Sequence, residues 1–187
     1  MVIGGSLFFG INYALKIYKR RENLKSLERI LIYLESEIRY SHSIISEAFL
    51  NAAKKSDEPF KTWLFYLGKR LNDTAFDDIK KDNDFKFLNS VSDSYRQVEN
   101  NFFDIWKDSL IFLSFSTCLL DEDLEELANI GQTLGYLDIE AHKMGLRLEI
   151  DNFHKKIIDY NSDLKEKMKV SVISGAVIGI LVVIVLV

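Results

Sequence analysis

Five carboxylates crowd residues 121–126, DEDLEE, and they are the first place to look for chemistry. Asp121, Glu122, Asp123, Glu125 and Glu126 could together hold a cation. A calcium loop, however, spaces its oxygen ligands regularly and turns sharply at a glycine, and this run does neither. The same run suits the start of a helix, whose positive end attracts acids. His42, His142 and His154 share no ligand spacing; His142 and His154 lie twelve residues apart, too far for one metal on one helix. Cys118 is the single cysteine, so neither a disulfide framework nor a thiolate metal site is expected. It lies in an apolar run, the setting of a small buried hydrophobe. Nothing orders Ser, His and Asp into a triad, and GxSxG, HExxH and CxxC do not occur. No glycine-rich run ends in Lys-Ser/Thr, so a phosphate cradle of the P-loop kind is not expected either. The expectation is a protein that is not an enzyme and takes no cofactor or metal. The alternative is a membrane-anchored helical sensor that binds a ligand or metal. The aromatic stretches 60–65 and 102–106 could line its pocket, although such stretches more often fill a core.

The elements that would carry these residues are helices. The chain has 187 residues, nine glycines and one proline, which leaves long stretches free to be helical. Leu24, Leu27, Leu31, Leu34 and Ile38 recur at alternating three- and four-residue spacing, the seam of an amphipathic helix over 21–40. Ser43 is a plausible N-cap for a second helix carrying Ile44, Ile45, Ala48, Phe49 and Ala52. Pro59 fits the first turn of a third, with Phe60, Trp63, Leu64, Leu67 and Leu71. Residues 72–84 are polar and read as a loop. A fourth helix runs from Phe87 through Trp106, Leu110 and Leu113, continuing or restarting near Asp104 and ending over 114–117. A fifth uses Leu124, Leu127, Ala128, Ile130 and Leu134, with Gly135 as its left-handed C′ residue. Asp138 caps a sixth, whose stripe is Leu146, Ile150, Phe153, Ile157, Tyr160, Leu164 and Met168. The predicted class is all-α: an antiparallel bundle of about six helices over 19–169.

Two apolar stretches flank that bundle. Residues 170–187, VSVISGAVIGILVVIVLV, contain no ionisable group, and residues 2–18 contain only Lys16. Both are expected to be transmembrane helices, although 17 residues at 1.5 Å each reach only about 25 Å of a roughly 30 Å hydrocarbon layer. Positive charge follows the first stretch (Lys16, Lys19, Arg20, Arg21, Lys25) and precedes the second (Lys165, Lys167, Lys169). A secretory leader would carry its charge before the apolar run. By the positive-inside rule both collars place residues 19–169 in the cytoplasm. Those flanks hold eight of the 24 basic residues and two of the 28 acidic ones, leaving 16 against 26 between them. So acidic a middle argues against nucleic acid as a partner; it suits a protein with a basic face, although a solvated acidic surface with no partner is the commoner case. Ser171, Gly175 and Gly179 recur every fourth residue and let another helix approach closely in lipid, either 2–18 or that of a second subunit.

Several short motifs resemble one family. Leu34-Glu35-Ser36-Glu37-Ile38-Arg39-Tyr40, followed by His42, Glu47 and Ala48, is similar to the opening LExEIxY…H…EA of stage III sporulation protein AB. Trp106 with Leu110 resembles its W…L helix, and Gly131-Gln132-Thr133-Leu134-Gly135-Tyr136-Leu137-Asp138 its GxxLGxxD signature. The chain departs from that pattern at Ile44-Ile45, where Pro-Leu is common, at His142, where Gln is common, and over 77–101, which is longer and more acidic. The resemblance implies an endospore former's protein in the mother-cell membrane facing the forespore. It implies likeness to the inner-membrane platform protein of type II secretion and type IV pilus systems. It also implies a non-catalytic role, coupling a secretion-type ATPase, stage III sporulation protein AA, to the other channel subunits. Glu37, Gly131, Gly135 and Asp138 are the residues expected to shape the bundle and its docking.

Overall fold

A computed structural model describes residues 2–40, 44–72, 101–135 and 139–186. These form six helices and, among the described residues, no strand. They are α1 (Val2–Tyr40), α2 (Ile45–Lys54), α3 (Phe60–Arg70), α4 (Phe102–Ser116), α5 (Asp121–Gly135) and α6 (Ile139–Leu186). The all-α class stands.

The first and last helices dominate. α1 has 39 residues and α6 has 48, so they run about 58 Å and 72 Å. Neither contains a proline. Each apolar terminal stretch therefore continues into the bundle helix as one rod, and the two rods pack side by side. Their seam is the predicted stripe. Leu24, Leu27, Leu31 and Leu34 on α1 are essentially inaccessible, as are Leu146, Phe153 and Ile157 on α6.

The shorter helices lean on the half of this pair that carries the leucines. α2 and α3 form a hairpin against α1, α4 joins α3, and α5 packs on α4 and α6. α2 starts after Ile44, which offers no side-chain cap, so hydrophobic anchoring by Ala48, Phe49 and Ala52 holds its place. Ser43, expected as that cap, lies outside the described residues. Pro59 immediately precedes α3 in helical conformation, as its fixed φ favours. α4 is capped by Asn101, whose side chain accepts from the Phe103 N–H at 2.6 Å. The loop 72–84 and the start of the fourth helix at Phe87 fall largely on 73–100, outside the described residues.

Aromatic rings fill the centre. Trp63 and Trp106 meet edge to face at 5.3 Å, Phe102 stacks on Trp106 at 6.1 Å, and Phe49 lies tilted against Trp106 at 5.9 Å. Both indoles are fully buried, and burial of such a side chain contributes on the order of 4–6 kcal/mol. Their polar edges are satisfied. Trp63 Nε1 donates to Ser109 Oγ at 2.8 Å, Ser109 Oγ donates to the Trp106 carbonyl at 2.6 Å, and Trp106 Nε1 donates to the Leu127 carbonyl at 2.8 Å. The aromatic stretches that could have lined a ligand pocket thus pack mainly as core, with Phe65 turned outward.

Candidate functional site

The acidic run at the start of α5 is the most unusual site in the described chain. Asp123 follows the rhythm of Leu127 and Ile130, so the helix carries its carboxylate inward with them, and the side chain is fully buried. A lone buried carboxylate would be costly. Here every direction is occupied. Arg20 of α1 grips it with two bonds, Nε to Oδ2 at 2.8 Å and Nη2 to Oδ1 at 2.9 Å. Lys156 of α6 places Nζ 2.9 Å from Oδ1, and the Leu120 N–H donates to Oδ2 at 2.9 Å. That last bond is half of a capping box, an acid at the third helical position reaching back to the N-cap. Glu122 takes a further Arg20 bond at 2.5 Å, and Glu126 pairs with Lys156 at 2.9 Å. Tyr160 lies with its ring 4.9 Å from the Arg20 guanidinium carbon.

The electrostatics follow from these contacts. Burial alone would raise the Asp123 pKa, but the bonds from Arg20, the Leu120 N–H and Lys156 outweigh it and hold the group below its usual range. Burial likewise disfavours the Arg20 and Lys156 cations, and the facing carboxylates override it, raising both. Tyr160 is pushed up, chiefly by burial. The arrangement is a three-helix lock: it fixes the start of α5 against the middle of α1 and the first half of α6. The buried Asp123 carboxylate is already engaged by two protein cations and a backbone N–H.

Beyond the lock, α1 and α6 continue as an antiparallel pair, bare among the described residues, called the hairpin below. Arg21 Nε donates to Asn161 at 2.5 Å, the Tyr160 hydroxyl donates to the Ile17 carbonyl at 3.2 Å, and Ser171 Oγ donates to the Gly10 carbonyl at 3.0 Å. On the other side of the lock, His154 meets Glu28. These pairs set one antiparallel register from residue 28 to residue 10. Along the bare part, large apolar side chains point outward on both helices: Phe8 (69 % exposed), Tyr13, Leu15 and Tyr18 on α1, and Ile173 (60 %), Ile180, Leu181 and Ile184 on α6. Over the described residues alone, no helix is long and apolar enough to cross a membrane. The two flanking transmembrane helices therefore find no support there, and they rest on the sequence of 2–18 and 170–187.

The structure scatters the residues singled out by sequence. Glu37 accepts from the Tyr33 hydroxyl at 2.7 Å on its own helix. Gly131 is buried with its Cα against the Trp106 ring, leaving no room for a Cβ. Gly135, expected as the left-handed C′ residue, is instead the last helical residue of α5, and no described glycine has a positive φ, so the helix continues through it; Asp138 and the other residues that follow it, 136–138, lie outside the described residues. Ser171 faces α1 through Gly10, while the surroundings of Gly175 and Gly179 lie outside the described side chains. The lock itself was missed. Arg20 read as a membrane collar charge and Asp123 as a solvated helix start. The available signal was that Asp123 shares the spacing of Leu127 and Ile130, and Arg20 that of Leu24 and Leu27.

An all-helical bundle locked onto one half of a long pair of packed helices defines the class, with its aromatic core shared among the helices. The chain belongs to the stage III sporulation protein AB family, whose model matches residues 1–82 and 74–187. Among solved structures, it is similar to stage III sporulation protein AB (SpoIIIAB), with a TM-score of 0.58 and 20% identity over 78% of this chain and 96% of that one. At that identity the likeness concerns the fold. No curated protein matches.

Proposed function

We propose that this chain is a non-catalytic membrane scaffold of a sporulation complex, mounted by α1 and α6 in the mother-cell membrane that surrounds the forespore. Its bundle docks a secretion-type ATPase of the stage III sporulation protein AA kind and neighbouring channel subunits. The observation that carries the reading is the bare hairpin. Two packed helices that turn Phe8, Tyr13, Ile173 and Ile184 outward need an apolar surrounding, and a bilayer supplies one. Family membership supports the sporulation role, and the net acidic 19–169 segment supports a partner with a basic face. The engagement of Asp123 by Arg20 and Lys156, and the packing of Trp63 and Trp106 as core, favour scaffold over ligand sensor.

The test is made on the full chain in membranes of a sporulating cell. The scaffold reading expects the protein to resist extraction by alkaline carbonate and to co-purify with the ATPase in mild detergent. Release by carbonate would refute the mount. Retention of the chain without the ATPase or any channel subunit would refute the docking.

A further inference from the structure

The connection between α4 and α5 carries the least charged stretch outside the terminal apolar ones. Residues 109–120, SLIFLSFSTCLL, contain no Asp, Glu, Lys, Arg or His, in a chain that is 28% charged. Among the described residues of α4, α5 and their connection, two large apolar side chains are markedly exposed. They are Phe115 at 75% and Leu120 at 49%, and both sit at this corner.

The lock fixes where the corner points. α5 ends next to the start of α6, so its beginning lies toward the bare hairpin, and Asp123 is tied there to Arg20 and Lys156. Arg20 comes two residues after Tyr18, about 3 Å of helix, and Lys156 comes fourteen residues before Val170, about 21 Å. The carboxylate between them thus lies on average about 12 Å below the apolar stretches, and Leu120 sits about 5 Å nearer. The remaining distance is close to the roughly 5–7 Å depth of one headgroup layer.

We infer that the α4–α5 corner is a third membrane contact, with Phe115 and Leu120 inserted among the lipid headgroups beside the hairpin. The inference rests on the membrane mount proposed above. The occupant is lipid rather than a protein because the corner carries no Asp, Glu, Lys, Arg or His, exposes Phe115 and Leu120, and is held by the lock at the side of the bundle toward the apolar stretches. Exposed Asp121 beside Leu120 sets the depth: the corner reaches the headgroups and stops short of the hydrocarbon.

Full-length protein with Cys118→Ser carries a nitrobenzoxadiazole label at Leu120→Cys, Phe115→Cys, Gln132→Cys or Val177→Cys. Each is reconstituted in phosphatidylethanolamine and phosphatidylglycerol vesicles doped with lipid brominated near the headgroup. Gln132 is exposed on α5 nine residues beyond the lock, away from the hairpin, and Val177 is exposed on α6. The expected result is quenching at 115 and 120 at least about twofold stronger than at 132, as for a surface-inserted segment. Equal weak quenching at 115, 120 and 132, with strong quenching at 177, would overturn the corner contact and leave the mount standing. Weak quenching at all four sites would overturn both.

Discussion

Replacing Asp123 with Asn removes one charge and almost no volume. Arg20 loses its two-pronged partner and keeps Glu122, whose side chain is 62% exposed; Lys156 keeps Glu126, 43% exposed. Removing one member of a buried ion pair costs roughly 3–5 kcal/mol, because the other charge stays buried and unpaired. The residual carboxylates and the acceptor oxygen of Asn, which still serves the Leu120 N–H, bring the expectation to about 2–4 kcal/mol. For a domain of this size that lowers Tm by roughly 4–16 °C. Thermal melts of the full chain in detergent, followed by far-UV circular dichroism, read the effect. Glu122→Gln is the control, since an exposed partner contributes at most about 1 kcal/mol. A combined Asp123→Leu, Arg20→Met, Lys156→Met protein should recover most of the loss, since an apolar trio leaves no charge stranded. Melting of Asp123→Asn indistinguishable from Glu122→Gln would refute the lock.

Acid should act through the same group. The Asp123 pKa is depressed from its ordinary 3.8, so its charge contributes stability above about pH 4, lost as pH falls through the depressed value. The Lys156 pKa is raised above 10.5, so its contribution holds below that value and fades only beyond it. Melting temperature against pH should therefore be flat across neutrality with respect to this lock, and Asp123→Asn should flatten part of the acid limb. Gly131→Ala should destabilise by about 1–3 kcal/mol in urea titration, because the new methyl meets a Trp106 ring held by Leu127 and Trp63. Ser109→Ala leaves the buried Trp63 indole N–H without its acceptor and should cost about 1–3 kcal/mol, with a change in tryptophan emission reporting the altered site.

The helices were legible where one face repeats. The stripes Leu24–Leu34 and Leu146–Leu164 announce themselves through spacing alone, and the structure buries both. The acids of 121–123 mark the start of α5, and Ser114–Thr117 marks the end of α4. The continuity of each terminal stretch with its bundle helix follows from the absence of any breaker between them. What the sequence concealed is the partnership across α1, α5 and α6. Arg20 and Asp123 are 103 residues apart, and nothing local distinguishes a carboxylate bound by a distant guanidinium from one facing water. Charge counting does not show where each charge is directed, for the same reason. Arg20 contributes to the collar by sign, yet its charge is directed at Asp123 and Glu122, and Arg21 and Lys25 both face Glu22. Lys16 and Lys19 stay exposed on the first flank.

The unbroken length of α6 has a mechanical consequence. A single helix of 48 residues is a lever about 72 Å long, with the lock bearing on it near Lys156, about a third of the way from its start. With that point as the fulcrum, a rotation of only about 5° displaces the short arm by about 2 Å and the long arm by about 4 Å. A push at Ile139 that carries α1 along with α6 would thus be felt, doubled and reversed, at Leu186.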